Sequence, residues 1–164
     1  MTLSLFAGKA TLQPCYPSKG CQSQYAKRFM KKRVVVIDRK KWARGINYGS
    51  NRLLLTRENA RYARRDNPEN KSIRAGNMCC LGFACLAAGV SKELLRDQPY
   101  PERVSGGRIL PGLTYEDEFG CIRNTDFSRD AAYLNDQSGM PDTQRQKRLR
   151  SLAAKHGFTF KFVN

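Results

Sequence analysis

Apolar and polar positions along the chain predict a strand near residue 35 and a second strand at the end of the sequence. Val34–Ile37 is an uninterrupted run of β-branched residues, which is typical of a buried strand. Near the end, aromatic residues at every second position give the pattern of a strand, with Phe158, Phe160 and Phe162 alternating with Thr159, Lys161 and Val163. The two strands are candidates to pair, although the pattern alone leaves that pairing open.

Helical spacing and capping residues predict several short helices between these strands. Asp38 is placed to cap a helix that runs through Trp42 to about Ile46. The other predicted helical segments are residues 53–65 (a helix or an extended arm), 78–88, 91–96, 129–135 and 142–156.

Two of these helices show which face they bury. The segment 78–88 is almost without polar groups, and a narrow face that permits close packing is formed by Gly82, Cys85 and Gly89. The segment 142–156 is amphipathic, and its inner face carries Leu149, Leu152 and Ala153.

The Pro- and Gly-rich residues 98–125 predict a loop with one short strand at 108–110. The fold class predicted from the whole pattern is α+β. We expect a small single domain over residues 33–164, with a mostly helical body and short N- and C-terminal strands. A basic, partly flexible arm, residues 1–32, precedes it.

Charge adds a functional expectation to this picture. The 164 residues include 30 Lys and Arg against 14 Asp and Glu, a net charge of +16. Residues 1–60 carry 13 basic and 2 acidic side chains, whereas residues 76–140 carry 6 and 9. This asymmetry favours a basic face or arm and an anionic partner, namely nucleic acid, an anionic membrane or an acidic protein. No apolar run reaches the roughly 18 residues of a transmembrane helix.

The densest basic cluster is the candidate nucleic-acid-binding site. Nine Lys and Arg fall within residues 27–44, and the interleaved aromatic residues suit base stacking beside phosphate contacts. The predicted binding residues are Lys27, Arg28, Lys31, Lys32, Arg33, Arg39, Lys40, Lys41, Arg44 and Trp42. Further clusters are Arg61, Arg64 and Arg65, and Arg145, Lys147, Arg148 and Arg150. The alternatives are a solvated basic face without a specific ligand and, for Trp42, an anchor of the core.

The six cysteines allow a structural or a chemical interpretation. The N-terminal residues make a poor signal peptide, which predicts mostly reduced thiols. The spacing of Cys79, Cys80 and Cys85 does not suit zinc, so we expect no metal and no other cofactor. A lesser alternative is a cysteine-dependent enzyme in which the helix N-terminus lowers the pKa of Cys79 or Cys80 and His156 acts as the base.

Three segments carry a resemblance to a known family. Met78–Cys85 resembles the CCLG-x-x-C signature of a family of small bacteriophage proteins of uncharacterised function. Leu134–Asp136, followed by an amphipathic helix, is similar to the same family, as is the stretch from Trp42 through Gly49 to Leu53. The resemblance covers roughly residues 40–163. It implies a phage accessory protein expressed in the host cytoplasm, and it carries no catalytic residues over to this chain.

Together, these features predict a non-enzymatic phage accessory protein in the host cell cytoplasm. We expect it to bind nucleic acid, or a nucleic-acid-handling host complex, through its basic face. The alternative from another class is an inhibitor that binds a host protein directly, with its basic surface against an acidic groove. The choice between DNA and RNA and the oligomeric state stay open.

Overall fold

The computed structural model of the chain describes residues 33–45, 52–66 and 71–164. The chain divides into two units, Met1–Met30 and Lys31–Asn164, and every described residue belongs to the second. The arm predicted for residues 1–32 therefore lies outside the described residues.

Short helices and four strands make up the described residues, which confirms the α+β prediction. The strands are β1 (Arg33–Asp38), β2 (Thr114–Glu116), β3 (Ile122–Asn124) and β4 (Phe158–Val163). The helices are α1 (Arg57–Asp66), α2 (Cys80–Ala87), α3 (Lys92–Leu95), α4 (Pro101–Val104), α5 (Asp126–Asp136) and α6 (Asp142–Lys155).

The two end strands pair with each other in parallel, which confirms that they are partners. Val35 lies opposite Phe160, and Ile37 lies opposite Phe162. These inward side chains are buried, whereas Val34 and Val36 are about half exposed on the other face. The prediction of a buried strand is therefore correct for one face of β1 only, because the body of the domain covers only one face of this two-stranded sheet.

The main core lies between the inner face of the β1–β4 sheet and helices α2, α5 and α6. Helix α2 packs so closely that a Cβ added at Gly82 would overlap the carbonyl group of Leu53. Of the narrow face predicted from Gly82, Cys85 and Gly89, Gly82 makes this backbone-to-backbone approach and Cys85 is buried, whereas Gly89 lies beyond the end of α2 and is exposed. On α6, Leu149 and Ala153 are fully buried, as the sequence pattern predicts.

The helix predicted from Asp38 through Trp42 does not form. Asp38 instead caps a tight turn, in which its Oδ1 accepts a hydrogen bond from the main-chain N–H of Lys40 at 2.9 Å. The main chain around Trp42 then runs beside Met78, whose N–H donates to the Lys41 carbonyl at 2.8 Å. Pairing with a distant segment therefore replaces the local helical hydrogen bonds.

The Pro- and Gly-rich region also differs from its prediction. Residues 108–110 form no strand, whereas β2 and β3 pair as an antiparallel hairpin with Tyr115 opposite Arg123. Asp117 holds the turn of this hairpin, since its Oδ1 accepts hydrogen bonds from the main-chain N–H groups of Phe119 and Cys121. This side-chain capping of the turn supports strands only three residues long.

None of the helices in the described ranges is long and apolar enough to cross a lipid bilayer. In the same ranges, His, Cys, Asp and Glu side chains form no group of three or more that could hold a metal ion.

Candidate nucleic-acid interface

The predicted binding residues separate into several groups in the structure. Four of them, Lys27, Arg28, Lys31 and Lys32, lie outside the described residues. Arg33 and Arg39 make hydrogen bonds within the protein, to the Pro111 carbonyl and to the side chains of Gln146 and Asn164. Lys40 and Lys41 are exposed, and Lys41 lies 3.6 Å from Asp38.

Trp42 is buried in the core. It is 1% exposed, its indole Nε1 donates to the side-chain oxygen of Asn135 at 2.7 Å, and its ring packs 4.9 Å from that of Phe162. The prediction that Trp42 stacks on bases is therefore wrong, and the alternative of a core anchor describes it.

Arg44 is committed to an ion pair. Its Nε and Nη2 form a two-pronged pair with the carboxylate of Asp142 at the start of α6, and its Nη1 donates to the Trp42 carbonyl at 3.0 Å. The hydrogen bond from Arg44 lowers the pKa of Asp142, against an opposing effect of burial. Arg44 therefore links α6 to the Trp42 segment, and the carboxylate of Asp142 balances its positive charge.

Lys41 lines a groove that brings together cations from distant parts of the sequence. We call it the basic groove, with a volume of about 460 Å³. Its charged lining consists of four basic residues and one acidic residue, Lys41, Arg57, Lys92, Arg96 and Glu93. Its remaining lining includes Leu54, Leu55, Ala75, Gly76 and Met78.

Main-chain hydrogen bonds hold together the segments that line the basic groove. The Leu54 carbonyl accepts from the N–H of Asp97 at 3.1 Å, and the Leu55 N–H donates to the Asn77 carbonyl at 2.9 Å. The Leu55 carbonyl in turn accepts from the N–H of Gly76 at 2.8 Å. Three separate chain segments are thereby held side by side, which sets the positions of the basic side chains that rise from them.

Helix α1 extends this basic surface beyond the groove. Thr56 and Asn59 cap its start, because the Thr56 Oγ1 accepts from the Asn59 N–H at 3.3 Å. Arg57, Arg61 and Arg65 follow at a spacing of four residues and so lie on one face, which also carries the exposed Glu58 and Tyr62. We call this face the α1 stripe.

Arg57 joins the two surfaces, since it lines the basic groove and also belongs to the α1 stripe. Among the described residues, no carboxylate forms an ion pair with Arg57, Arg61, Lys92 or Arg96. Glu93 is exposed, and its pKa is lowered by hydrogen bonds from its own main chain and from Ser91, with smaller contributions from Arg96 and Lys92. The combined surface carries six cationic side chains (Lys41, Arg57, Arg61, Arg65, Lys92 and Arg96) against two carboxylates, Glu58 and Glu93, so its net charge is positive.

The two other basic clusters predicted from the sequence divide in the structure. Arg64 turns inward and donates to the Ile73 carbonyl at 2.5 Å. Arg145 is 2% exposed, and its guanidinium donates to four main-chain carbonyls between residues 134 and 140. Lys147 and Arg148 remain exposed on α6.

Sequence reasoning did not identify Arg57, Lys92 and Arg96 as candidate binding residues. Lys92 and Arg96 lie in the part of the sequence with an acidic excess, so they formed no visible cluster. For Arg57, the spacing of four residues to Arg61 and then Arg65 was the available signal.

The buried cysteines do not have the electrostatics of nucleophiles. Burial raises the pKa of the Cys79 thiol to about 12, and the negative charge of Asp136 adds to the effect. Burial also raises the pKa of Cys80 and Cys85 well above the usual range. The lowered pKa that the lesser alternative of a cysteine-dependent enzyme requires is therefore not found at the start of α2, because loss of solvent outweighs the field of a short helix.

Comparisons of the chain with protein-family models, with curated proteins and with solved structures give no match. The resemblance to a bacteriophage family therefore stays a prediction from the residues that carry it.

Proposed function

We propose that the protein binds nucleic acid without catalysing a reaction, and that the basic groove and the α1 stripe contact the phosphates. One observation carries the proposal: Lys41, Arg57, and Lys92 with Arg96 at the two ends of α3 come from three separate segments and line one groove. Like charges repel one another when they are gathered in this way, so the arrangement favours an anionic ligand that neutralises several of them together.

The physical basis of the affinity is the release of counterions from the phosphate backbone. Each phosphate neutralised by a Lys or Arg makes binding more sensitive to salt, with a slope of about 0.9 per contact for duplex DNA and about 0.7 for single strands. Phosphates are the same at every position, so this contribution is largely independent of sequence.

Fluorescence anisotropy with labelled oligonucleotides, titrated with salt, tests the proposal. The double variant Arg57→Ala/Arg61→Ala removes two positive charges from the proposed surface. Its matched control is Lys147→Ala/Arg148→Ala, which removes two exposed charges from α6. We expect the first variant to lose about tenfold or more in affinity and to reduce the salt slope by one to two units.

The control variant should keep nearly the affinity and the salt slope of the wild-type protein. Equal losses in the two variants would contradict the assignment to this surface, and no binding of the wild-type protein at near-physiological salt would contradict the function. Circular dichroism of each variant confirms that the fold is intact, and alanine is well tolerated on a helix such as α1.

The biological setting belongs to the same proposal. The resemblance of the Met78–Cys85 and Leu134–Asp136 segments to a bacteriophage family supports an accessory protein that acts in the host cytoplasm. Host nucleic acid, phage nucleic acid and a host complex that handles either one would all present phosphates to the basic groove.

Direct binding of a host protein is a second candidate function, and three exposed aromatic side chains favour it. Phe119 at the tip of the β2–β3 hairpin is 80% exposed, Tyr115 on β2 is about half exposed, and Tyr133 on α5 is largely exposed. Aromatic residues are enriched in protein interfaces. Capture of one host protein that survives nuclease treatment, and is lost with Phe119→Ser but not with Arg57→Ala/Arg61→Ala, would support this candidate.

A further inference from the structure

We infer that the basic groove binds an unpaired base together with its neighbouring phosphate, and hence that the ligand is single-stranded nucleic acid. This inference rests on the proposed function and specifies the form of its ligand.

The groove combines two kinds of lining. Four cationic side chains line it together with the apolar residues Leu54, Leu55, Ala75 and Met78. A phosphate alone is met by charged and polar donors and gains nothing from apolar surface. A nucleotide has both parts, because its base is a flat, largely apolar ring system and its phosphate is charged.

The volume of the groove is consistent with the same ligand. Its volume of about 460 Å³ lies in the range of small-molecule pockets, roughly 300–1,000 Å³. The bases of a duplex are stacked and paired, so a protein reaches only their edges, from within the grooves. A single strand can turn one base out of its stack and place it in a pocket.

The α1 stripe provides positive charge for the phosphates of the rest of the strand. Arg57 stands at the border of the groove, and Arg61 and Arg65 continue along α1 at intervals of about 6 Å, four residues at the helical rise. A strand with one base in the groove therefore meets further positive charge on one side, along the axis of α1.

Three labelled probes of equal length test the inference: a mixed-sequence single strand, the same strand with abasic sites throughout its centre, and the corresponding duplex. The abasic strand keeps every phosphate and loses only bases. We expect the mixed-sequence single strand to bind about tenfold more tightly than the abasic strand, because only the intact strand has a base to place against the apolar lining. We also expect it to bind more tightly than the duplex at the same salt concentration.

A substitution that fills the groove without changing charge locates the base. Ala75 is exposed and lines the groove, so Ala75→Leu should reduce binding of the mixed-sequence strand to nearly the level of the abasic strand. It should leave binding of the abasic strand nearly unchanged. The control is Ala154→Leu, an equivalent change at an exposed position on α6, which should alter neither.

The outcomes separate this inference from the proposed function. Equal affinity for the mixed-sequence and abasic strands, or tighter binding of the duplex, would overturn the base-binding groove and leave phosphate binding standing. A base-dependent affinity that Ala75→Leu does not change would overturn the assignment to this groove. Failure of all three probes to bind would overturn the proposed function itself.

Discussion

The side-chain oxygen of Asn135 accepts a hydrogen bond from the indole nitrogen of Trp42 at 2.7 Å, across 93 residues of sequence. The same oxygen accepts from the main-chain N–H of Cys80 at 3.2 Å, and the Asn135 amide donates to the Ala43 carbonyl at 3.0 Å. Asn135 is fully buried. One amide therefore ties the end of α5 to the start of α2 and to the segment that follows β1.

Replacement of Asn135 by alanine should destabilise the protein strongly. It leaves the Trp42 indole N–H, the Cys80 N–H and the Ala43 carbonyl buried without these partners. Each buried group that loses its hydrogen bond costs about 1–3 kcal/mol, so we expect a loss of about 3 kcal/mol or more in the free energy of unfolding. Urea denaturation of the wild-type and variant proteins measures it.

A double-mutant cycle with Trp42→Phe isolates one bond of this network. Phenylalanine keeps an aromatic ring in the core and removes the indole N–H. Because the two side chains are in direct contact, we expect Asn135→Ala to cost less in the Trp42→Phe background than in the wild-type protein. Equal costs in both backgrounds would contradict an energetically important Trp42–Asn135 bond.

The same network joins the three segments on which the predicted resemblance to a phage family rests. These segments contain Trp42, Cys80 and Asn135, and the structure brings these residues together in the core. The hydrogen bonds of Asn135 give all three residues a structural role in the fold.

Gly82→Ala is the second test of the core. Helix propensity alone predicts a gain of about 1 kcal/mol for this change within α2. The added Cβ would instead overlap the main-chain carbonyl of Leu53, so we expect a net loss of about 2 kcal/mol. Thermal or chemical denaturation decides between the two signs, and a stabilised variant would contradict the close approach of α2 to the Leu53 segment.

Local sequence patterns correctly predicted those helices and strands in which buried side chains recur at the regular spacing of the element itself. The alternating phenylalanines of β4 and the inner face of α6 are of this kind, because each element has one face on the core and a signal at its end. Gly157 ends α6 with a positive φ of 79°, a conformation that glycine adopts without a steric penalty.

Elements determined by distant contacts could not be predicted in the same way. The Trp42 segment has helical capping signals, yet its main chain bonds to Met78, which lies in another part of the sequence. Arg145 was predicted on a basic surface because arginine is seldom buried. Its burial depends on four carbonyls presented by the end of α5 and the loop after it, an arrangement that exists only in the folded chain.

The candidate site shows the same limit. The predicted cluster of residues 27–44 relied on proximity in sequence, and of its members Lys41 lines the basic groove. Arg57, Lys92 and Arg96 also line this groove. Main-chain hydrogen bonds connect their segments to that of Lys41, because Met78 bonds to Lys41 and the Leu54–Leu55 segment bonds to residues 76, 77 and 97. No spacing in the sequence links Lys41 to Lys92, because the fold alone makes them neighbours.

Thiol labelling provides a third prediction. Cys79, Cys80 and Cys85 are buried and their pKa values are raised, so they hold their protons at pH 8, whereas Cys121 is exposed on the hairpin. Because the thiolate is the form that reacts, a short pulse of iodoacetamide should label Cys121 and spare the three buried thiols. Peptide mapping by mass spectrometry measures each site separately.

Denaturant is the control for this labelling experiment. In urea above the unfolding transition, all the mapped cysteines should react at similar rates. Rapid labelling of Cys79 or Cys80 in the folded protein would contradict their burial and would support the cysteine-dependent alternative.

The ion pair between Arg44 and Asp142 predicts a dependence of stability on pH. The hydrogen bond from Arg44 lowers the pKa of Asp142 in the folded protein, below the value of about 3.9 of an unfolded chain. The stabilisation is therefore present above that unfolded value and is lost as the pH falls through the folded pKa.

Asp142→Asn should lower the free energy of unfolding at pH 7 by about 1 kcal/mol, since the pair is partly exposed. The difference between variant and wild type should shrink as the pH falls below the unfolded value and through the lowered pKa of Asp142, as measured by urea denaturation across pH. Asp130→Asn, at an exposed carboxylate on α5, is the control, and a difference that stays constant from pH 7 to pH 2 would contradict the linkage to Asp142.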